Sequence, residues 1–160
     1  MNITKYEAVG IVISVLGGLY FLDLSRWKIP SRAAPYLQKI KEVEKLNNLP
    51  KNLLVRLIQQ ESSFNPNAHN KGSGAQGLCQ IVPRWHPTVK NPFDPDECIP
   101  YAGAYLRKLY NHYGYWDLTL AAYNWGRGNV SKLIDSHGKS GFNKMPLETK
   151  NYVTDILGDI

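Results

Sequence analysis

The stretch that decides the fold is residues 53–83, LLVRLIQQESSFNPNAHNKGSGAQGLCQIVP. It opens as an amphipathic helix, with Leu54, Leu57 and Ile58 at i, i+3, i+4 spacing along one apolar stripe. The next position on that stripe is not apolar; it is Glu61. After it the helical pattern stops, and Ser62, Ser63, Asn65 and Pro66 read as a turn. A carboxyl group is therefore expected at the end of a helix, pointing along its buried face. Desolvation and the negative end of the helix dipole both disfavour its ionised form. An acid kept protonated near neutral pH is what general-acid cleavage of a glycosidic bond requires. The spacing alone equally accommodates a partly exposed Glu that merely ends a helix.

Outward from this stretch, helical patterns recur. Residues 36–46 carry Leu37, Ile40, Val43 and Leu46 on one side, and Pro50 suits the first turn of the helix that bears Glu61. The Gly-rich piece 72–77 follows no strand-like pattern and lacks a GK[ST] ending, a poor match to a phosphate loop. Residues 95–113 form a helix with Ile99, Ala102, Tyr105, Leu106 and Leu109 as its apolar face and Asp94 or Asp96 as its cap. A short helix over 117–122 ends in Tyr123-Asn124-Trp125-Gly126; others follow over 128–134 and 146–156, the last with Pro146 at its start. No alternating run of strand length, internal repeat or low-complexity tract is present. The expected class is all-α.

A chain of 160 residues is one domain with room for a proper core. Its net charge of +6 suits an acidic partner: nucleic acid, anionic lipid or an acidic polymer such as a bacterial cell wall. Tyr and basic residues are frequent, but no nucleic-acid-binding motif accompanies them. His69, His86, His112 and His137 are scattered, and Cys79 and Cys98 form no C-x-x-C, so neither a metal nor another cofactor is expected. The two cysteines are either a disulfide, if the domain works outside the cytoplasm, or two small buried hydrophobes. Trp85, Trp116 and Phe93 read as core or cleft wall.

The N-terminal run 8–22, AVGIVISVLGGLYFL, carries no charge. As a helix it spans about 22 Å, short of a hydrocarbon core of about 30 Å. Tyr6, Leu24 and Trp27 extend it as interfacial anchors. No small-x-small cleavage site follows promptly, so one uncleaved transmembrane helix is favoured over a removed signal peptide. Residues 25–35 then read as a linker, which divides the chain into an anchor with linker (1–35) and a catalytic domain (36–160). Lys5 lies on one side of the run and Arg26, Lys28 and Arg32 on the other. Positive-inside counting thus places the domain in the cytoplasm, against any extracytoplasmic substrate.

Four motifs in series carry a family resemblance. They are Glu61-Ser62-Ser63-Phe64-Asn65-Pro66-x-Ala68, then Gly74-Ala75-x-Gly77-Leu78-Cys79-Gln80, then Ala121-Ala122-Tyr123-Asn124-x-Gly126, then Glu148-Thr149-x-x-Tyr152-Val153. In this order and spacing the sequence resembles the soluble lytic transglycosylases, whose catalytic domain is helical and like goose-type lysozyme. The resemblance covers roughly residues 39–156.

The resemblance implies cleavage of the β-1,4 bond between N-acetylmuramic acid and N-acetylglucosamine in peptidoglycan, leaving a 1,6-anhydromuramic end without adding water. Glu61 matches the family's single catalytic Glu, acting as acid and then as base. The substrate's own acetamido group serves as internal nucleophile, so no second carboxylate is needed. Gln80 matches a Gln that lines the cleft, Tyr123 and Asn124 a Tyr-Asn pair near the carboxyl, and Tyr152 a late Tyr that closes over it. Ser62 and Ser73 either bond the sugar or cap turns. The sequence departs from the family pattern at three places. Cys79 stands where Met is usual, Trp125 replaces a small residue and adds a surface for sugar stacking, and one extra residue between Ala68 and Gly74 makes Asn70 and Ser73 compete for one sugar contact.

The expected partners are peptidoglycan strands and, through the N-terminal helix, a membrane. The domain is placed against the periplasmic wall or, given the conflicting charge signals, in the virion membrane of a phage. Two other functions remain open: a hydrolytic lysozyme that uses Asp94, Asp96 or Asp117 to position water, and an inactive wall-binding membrane protein.

Overall fold

The computed structural model describes residues 10–15, 18–23 and 27–158. Among them six helices build the domain: α1 (Leu37–Leu46), α2 (Leu53–Ser62), α3 (Pro95–Tyr113), α4 (Trp116–Trp125), α5 (Arg127–His137) and α6 (Leu147–Leu157). Asp94 is the N-cap of α3: its carboxylate accepts the Asp96 N–H at 2.8 Å, and Pro95 occupies the first helical position.

The α4 helix is central and packs against α3, α5 and α6. Its residues 116–122 are buried on every side, as expected of a helix sheathed by others. The α2 helix lies against α1 and α6, and buries Leu53, Leu54, Val55, Leu57 and Ile58. Close packing of α1 on α3 depends on Gly103, where an added Cβ would stand 2.2 Å from Val43 Cγ1.

Both ends of α2 are held from outside the helix. At its start Asn52 is left-handed (φ 65°) and offers no side-chain cap. Glu44 of α1 supplies one instead: its buried carboxylate accepts the N–H groups of Asn52 (3.0 Å) and Leu54 (2.9 Å), which would otherwise be orphaned. At its end Ser63 (φ 51°) and Phe64 (φ 60°) are both left-handed, a strained pair for residues with side chains. Burying Phe64 against Tyr36 (ring centroids 6.2 Å apart) offsets that cost by about 2 kcal/mol. The chain thereby stops being helical directly after Glu61.

Two departures from the expected all-α class are present. The strands β3 (His69–Asn70) and β4 (Ala75–Gln76) pair antiparallel, His69 opposite Gln76 and Asn70 opposite Ala75, with Gln76 bridged further to Ile81. Two-residue strands are too short to leave an alternating pattern. The second departure is the expected transmembrane helix over 8–22. Here β1 (Gly10–Val15) pairs antiparallel with β2 (Gly18–Asp23), from Gly10 opposite Asp23 to Val15 opposite Gly18. A continuous apolar run has no periodicity to separate helix from strand. The β-branched Ile11, Val12, Ile13 and Val15 favour a strand, and the adjacent glycines 17 and 18 cost a helix about 1 kcal/mol each. Residues 8–9 and 16–17 of the run lie outside the described residues. No helix among the described residues is long and apolar enough to cross a membrane.

Part of the expected linker packs on the domain. Ala33, in a 3-10 turn over Ser31–Tyr36, is fully buried, and the Arg56 guanidinium lies 5.0 Å over the Trp27 ring.

Candidate active site

A cleft of about 1460 Å³ runs across the domain, and Glu61, Asn70, Ser73, Gln80, Tyr123, Asn124 and Tyr152 all line it. Ser62 does not.

Glu61 is the penultimate residue of α2 and is half-buried. The Tyr152 hydroxyl, from α6, donates to its Oε1 at 2.5 Å. Burial pushes the Glu61 carboxyl up to about 7, and the Tyr152 hydrogen bond only partly opposes this. Tyr152 and Tyr123 are themselves held well above the usual phenol range, chiefly by burial, with the Glu61 charge adding to it. Both therefore stay protonated and act as donors. The Tyr123 hydroxyl, from α4, donates to the Cys79 carbonyl at 2.9 Å.

The turn after β4 forms the facing side. Gly77 is left-handed (φ 72°), and a Cβ there would stand 1.9 Å from the Pro92 carbonyl oxygen, so only glycine fits. Gln80, also left-handed (φ 48°), donates through Nε2 to the carbonyls of Gly77 (3.0 Å) and Ala68 (3.4 Å). Ser62 gives its hydroxyl to the Leu78 carbonyl at 2.8 Å. It ties the end of α2 to this turn and so positions the site from behind. Both candidates for the contested sugar contact reach the cleft, yet each also braces a turn. Asn70 Oδ1 accepts the N–H groups of Gly72 and Ser73, and Ser73 Oγ accepts that of Ala75. Asn124 Oδ1 accepts from the hydroxyl of buried Thr149 at 3.0 Å, which leaves its amide N–H groups to donate into the cleft.

None of the three aspartates considered for positioning water lines the cleft. Asp94 caps α3, Asp96 pairs with Lys39, and Asp117 is fully buried at the start of α4. Glu148 is the other acid on the cleft wall. Among the described residues no group of three or more His, Cys, Asp or Glu is placed to hold a metal ion.

An aromatic wall is the feature that sequence reasoning largely missed. From Tyr123 it passes to Tyr105 (5.8 Å between centroids), Tyr101 (6.0 Å) and His86, whose Nδ1 is 2.7 Å from the Tyr101 hydroxyl. Trp85 follows, 66% exposed, with the Arg84 guanidinium 4.4 Å from its ring centroid. The available signal is a second stripe on α3: Tyr101, Tyr105 and Lys108 at i, i+4, i+7 line the cleft, and of these only Tyr105 falls on the apolar face that the spacing predicts. Trp125 lines the cleft as well, while Trp116 is buried and stacks on Tyr110.

A half-buried carboxyl with a near-neutral pKa, bonded to a phenol in an open cleft on a mostly helical frame, is a site equipped for general-acid chemistry. The chain belongs to the Transglycosylase SLT domain family, whose profile matches residues 38–146. It is 32% identical over 129 residues to membrane-bound lytic murein transglycosylase C of Serratia proteamaculans, covering 68% of this chain and 36% of that protein. It is 34% identical over 143 residues to membrane-bound lytic murein transglycosylase D of Escherichia coli, covering 79% of this chain and 31% of that protein. The chain thus spans about a third of the length of these curated relatives. Among solved structures it is similar to the 70 kDa soluble lytic transglycosylase of Escherichia coli, with a TM-score of 0.65 at 26% identity over 76% of this chain and 22% of that one. The 70-kDa soluble lytic transglycosylase in complex with bulgecin A shares the fold, with a TM-score of 0.67 at 23% identity over 78% of this chain and 23% of that one.

Proposed function

We propose that this domain is a peptidoglycan lytic transglycosylase with Glu61 as its single acid and base. The observation that carries the reading is the Glu61 carboxyl, half-buried at the end of α2, raised to about 7 and bonded to Tyr152 inside the cleft. Protonated Glu61 gives its proton to the glycosidic oxygen between the muramyl and glucosaminyl sugars as the C1–O bond breaks. The muramyl acetamido oxygen takes C1 from the other side, so no second carboxylate is engaged. Glu61 is now a carboxylate, stabilised by the Tyr152 hydroxyl. It removes the proton from the C6 hydroxyl as that oxygen attacks C1 and displaces the acetamido group. Glu61 ends protonated, and the sugar ends as the 1,6-anhydro form. Gln80, Asn124, Tyr123 and either Ser73 or Asn70 are the proposed sugar contacts, and Ser62 acts by positioning the Leu78–Gln80 turn.

The test is digestion of purified sacculi with product masses. Muropeptides lighter by one water than hydrolytic products are expected, and Glu61→Gln should abolish them. Reducing-end products that vanish in Glu148→Gln would instead establish a hydrolase. A Glu61→Gln protein that keeps its biological role would establish a binding protein.

Residues 1–35 are proposed as the attachment segment and 36–160 as the catalytic domain. The apolar run 8–22 and the membrane-bound relatives support holding the enzyme at a membrane facing the wall. Protease access to the domain in intact bacteria tests this location. Recovery of the chain only in purified phage particles would place it in a virion membrane instead.

A further inference from the structure

We infer that Cys79 and Cys98 are joined by a disulfide in the mature protein, and hence that the domain folds in an oxidising compartment outside the cytoplasm. They are the only two cysteines of the chain, and both are fully buried. Their sulfurs lie 3.3 Å apart, with the Cys79 thiol donating to Cys98. Closing to bonding distance needs a shift of about 1 Å between them. Chance burial of two small hydrophobes gives no reason for the sulfurs to meet across elements 19 residues apart.

The bond would brace the candidate site. The Leu78 carbonyl receives the Ser62 hydroxyl, and the Cys79 carbonyl receives that of Tyr123. A link from Cys79 to Cys98 fastens this turn to the first turn of α3. The Cys98 thiolate attacks a donor disulfide and expels one donor thiolate. Cys79 then loses its proton and attacks the Cys98 sulfur of the mixed disulfide, expelling the second. Two cysteine thiols are oxidised and one donor disulfide is reduced to two thiols. Because both sulfurs are buried in the finished fold, exchange belongs to the stage before α3 docks.

The test is independent of catalysis. The full chain is refolded in detergent with oxidised and reduced glutathione, then denatured and treated with iodoacetamide. A mass lower by two hydrogens and no alkylation are expected, with two alkylations only after reductant. Reductant should also lower the thermal midpoint of the wild type by about 10 °C and leave that of Cys98→Ser unchanged. Two alkylated thiols without reductant would overturn the inference. Failure of Glu61→Gln to abolish turnover would overturn the proposed function and leave this result standing.

Discussion

Replacing Glu61 by Gln should make the protein more stable above neutral pH while destroying its activity. The folded Glu61 carboxyl titrates at about 7 instead of the ordinary 4.5, because burial penalises its charged form. Between these values the folded protein holds a proton that the unfolded chain has released. Stability therefore falls as pH rises through that window and levels off above 7. One pH unit is worth about 1.4 kcal/mol, so the ionised side chain costs the fold about 3 kcal/mol at pH 8. Gln keeps the amide oxygen that accepts from Tyr152 and carries no charge to desolvate. Thermal unfolding of both proteins at pH 4, 6 and 8 measures the difference. Near pH 4 the two should coincide; at pH 8 the variant should melt higher by roughly 10 °C. A gap that does not change with pH, or a variant less stable at pH 8, would refute the reasoning that Glu61 is a desolvated acid.

Other outcomes follow from the same geometry. Wild-type turnover of peptidoglycan should fall as pH rises through about 7, where Glu61 loses the proton it must donate; a pH–rate profile on sacculi reads this directly. Tyr152→Phe removes the one side-chain hydrogen bond that lowers the Glu61 pKa, so the descending limb should move to higher pH, with turnover reduced by about tenfold to a hundredfold. Trp85→Ala removes an exposed ring from the cleft wall, so KM should rise about fivefold, with kcat and the unfolding midpoint little changed. Gly77→Ala places a methyl group 1.9 Å from the Pro92 carbonyl oxygen in a left-handed backbone, and should lose more than about 3 kcal/mol by urea unfolding.

Much of the helical frame could be read from spacing. Positions 54, 57, 58 and 61 share one face of a helix wherever that helix sits, because the 3.6-residue period is local. Caps and N-terminal prolines also act within one turn, so Asp94 and Pro95 mark the start of α3 and Pro146 that of α6. It fails for the run 8–22, where unbroken apolarity suits a helix or a strand and only pairing with another segment decides. The two-residue strands β3 and β4 fail for the opposite reason, being too brief to show a period at all.

The sequence by itself determined that a glutamate occupies an apolar helical position and that two Tyr-bearing segments recur far along the chain. That is as much as local physics settles, since it depends on side-chain type and helical phase. Only the tertiary structure decided that Tyr152, 91 residues away, donates to that carboxyl, that Tyr123 bonds to the Cys79 carbonyl instead, and that Ser62 turns to the Leu78 carbonyl and away from the cleft. These depend on how α2, α4 and α6 cross. The carboxyl's burial, and with it the raised pKa, comes from the sum of neighbours on several elements that no local pattern counts.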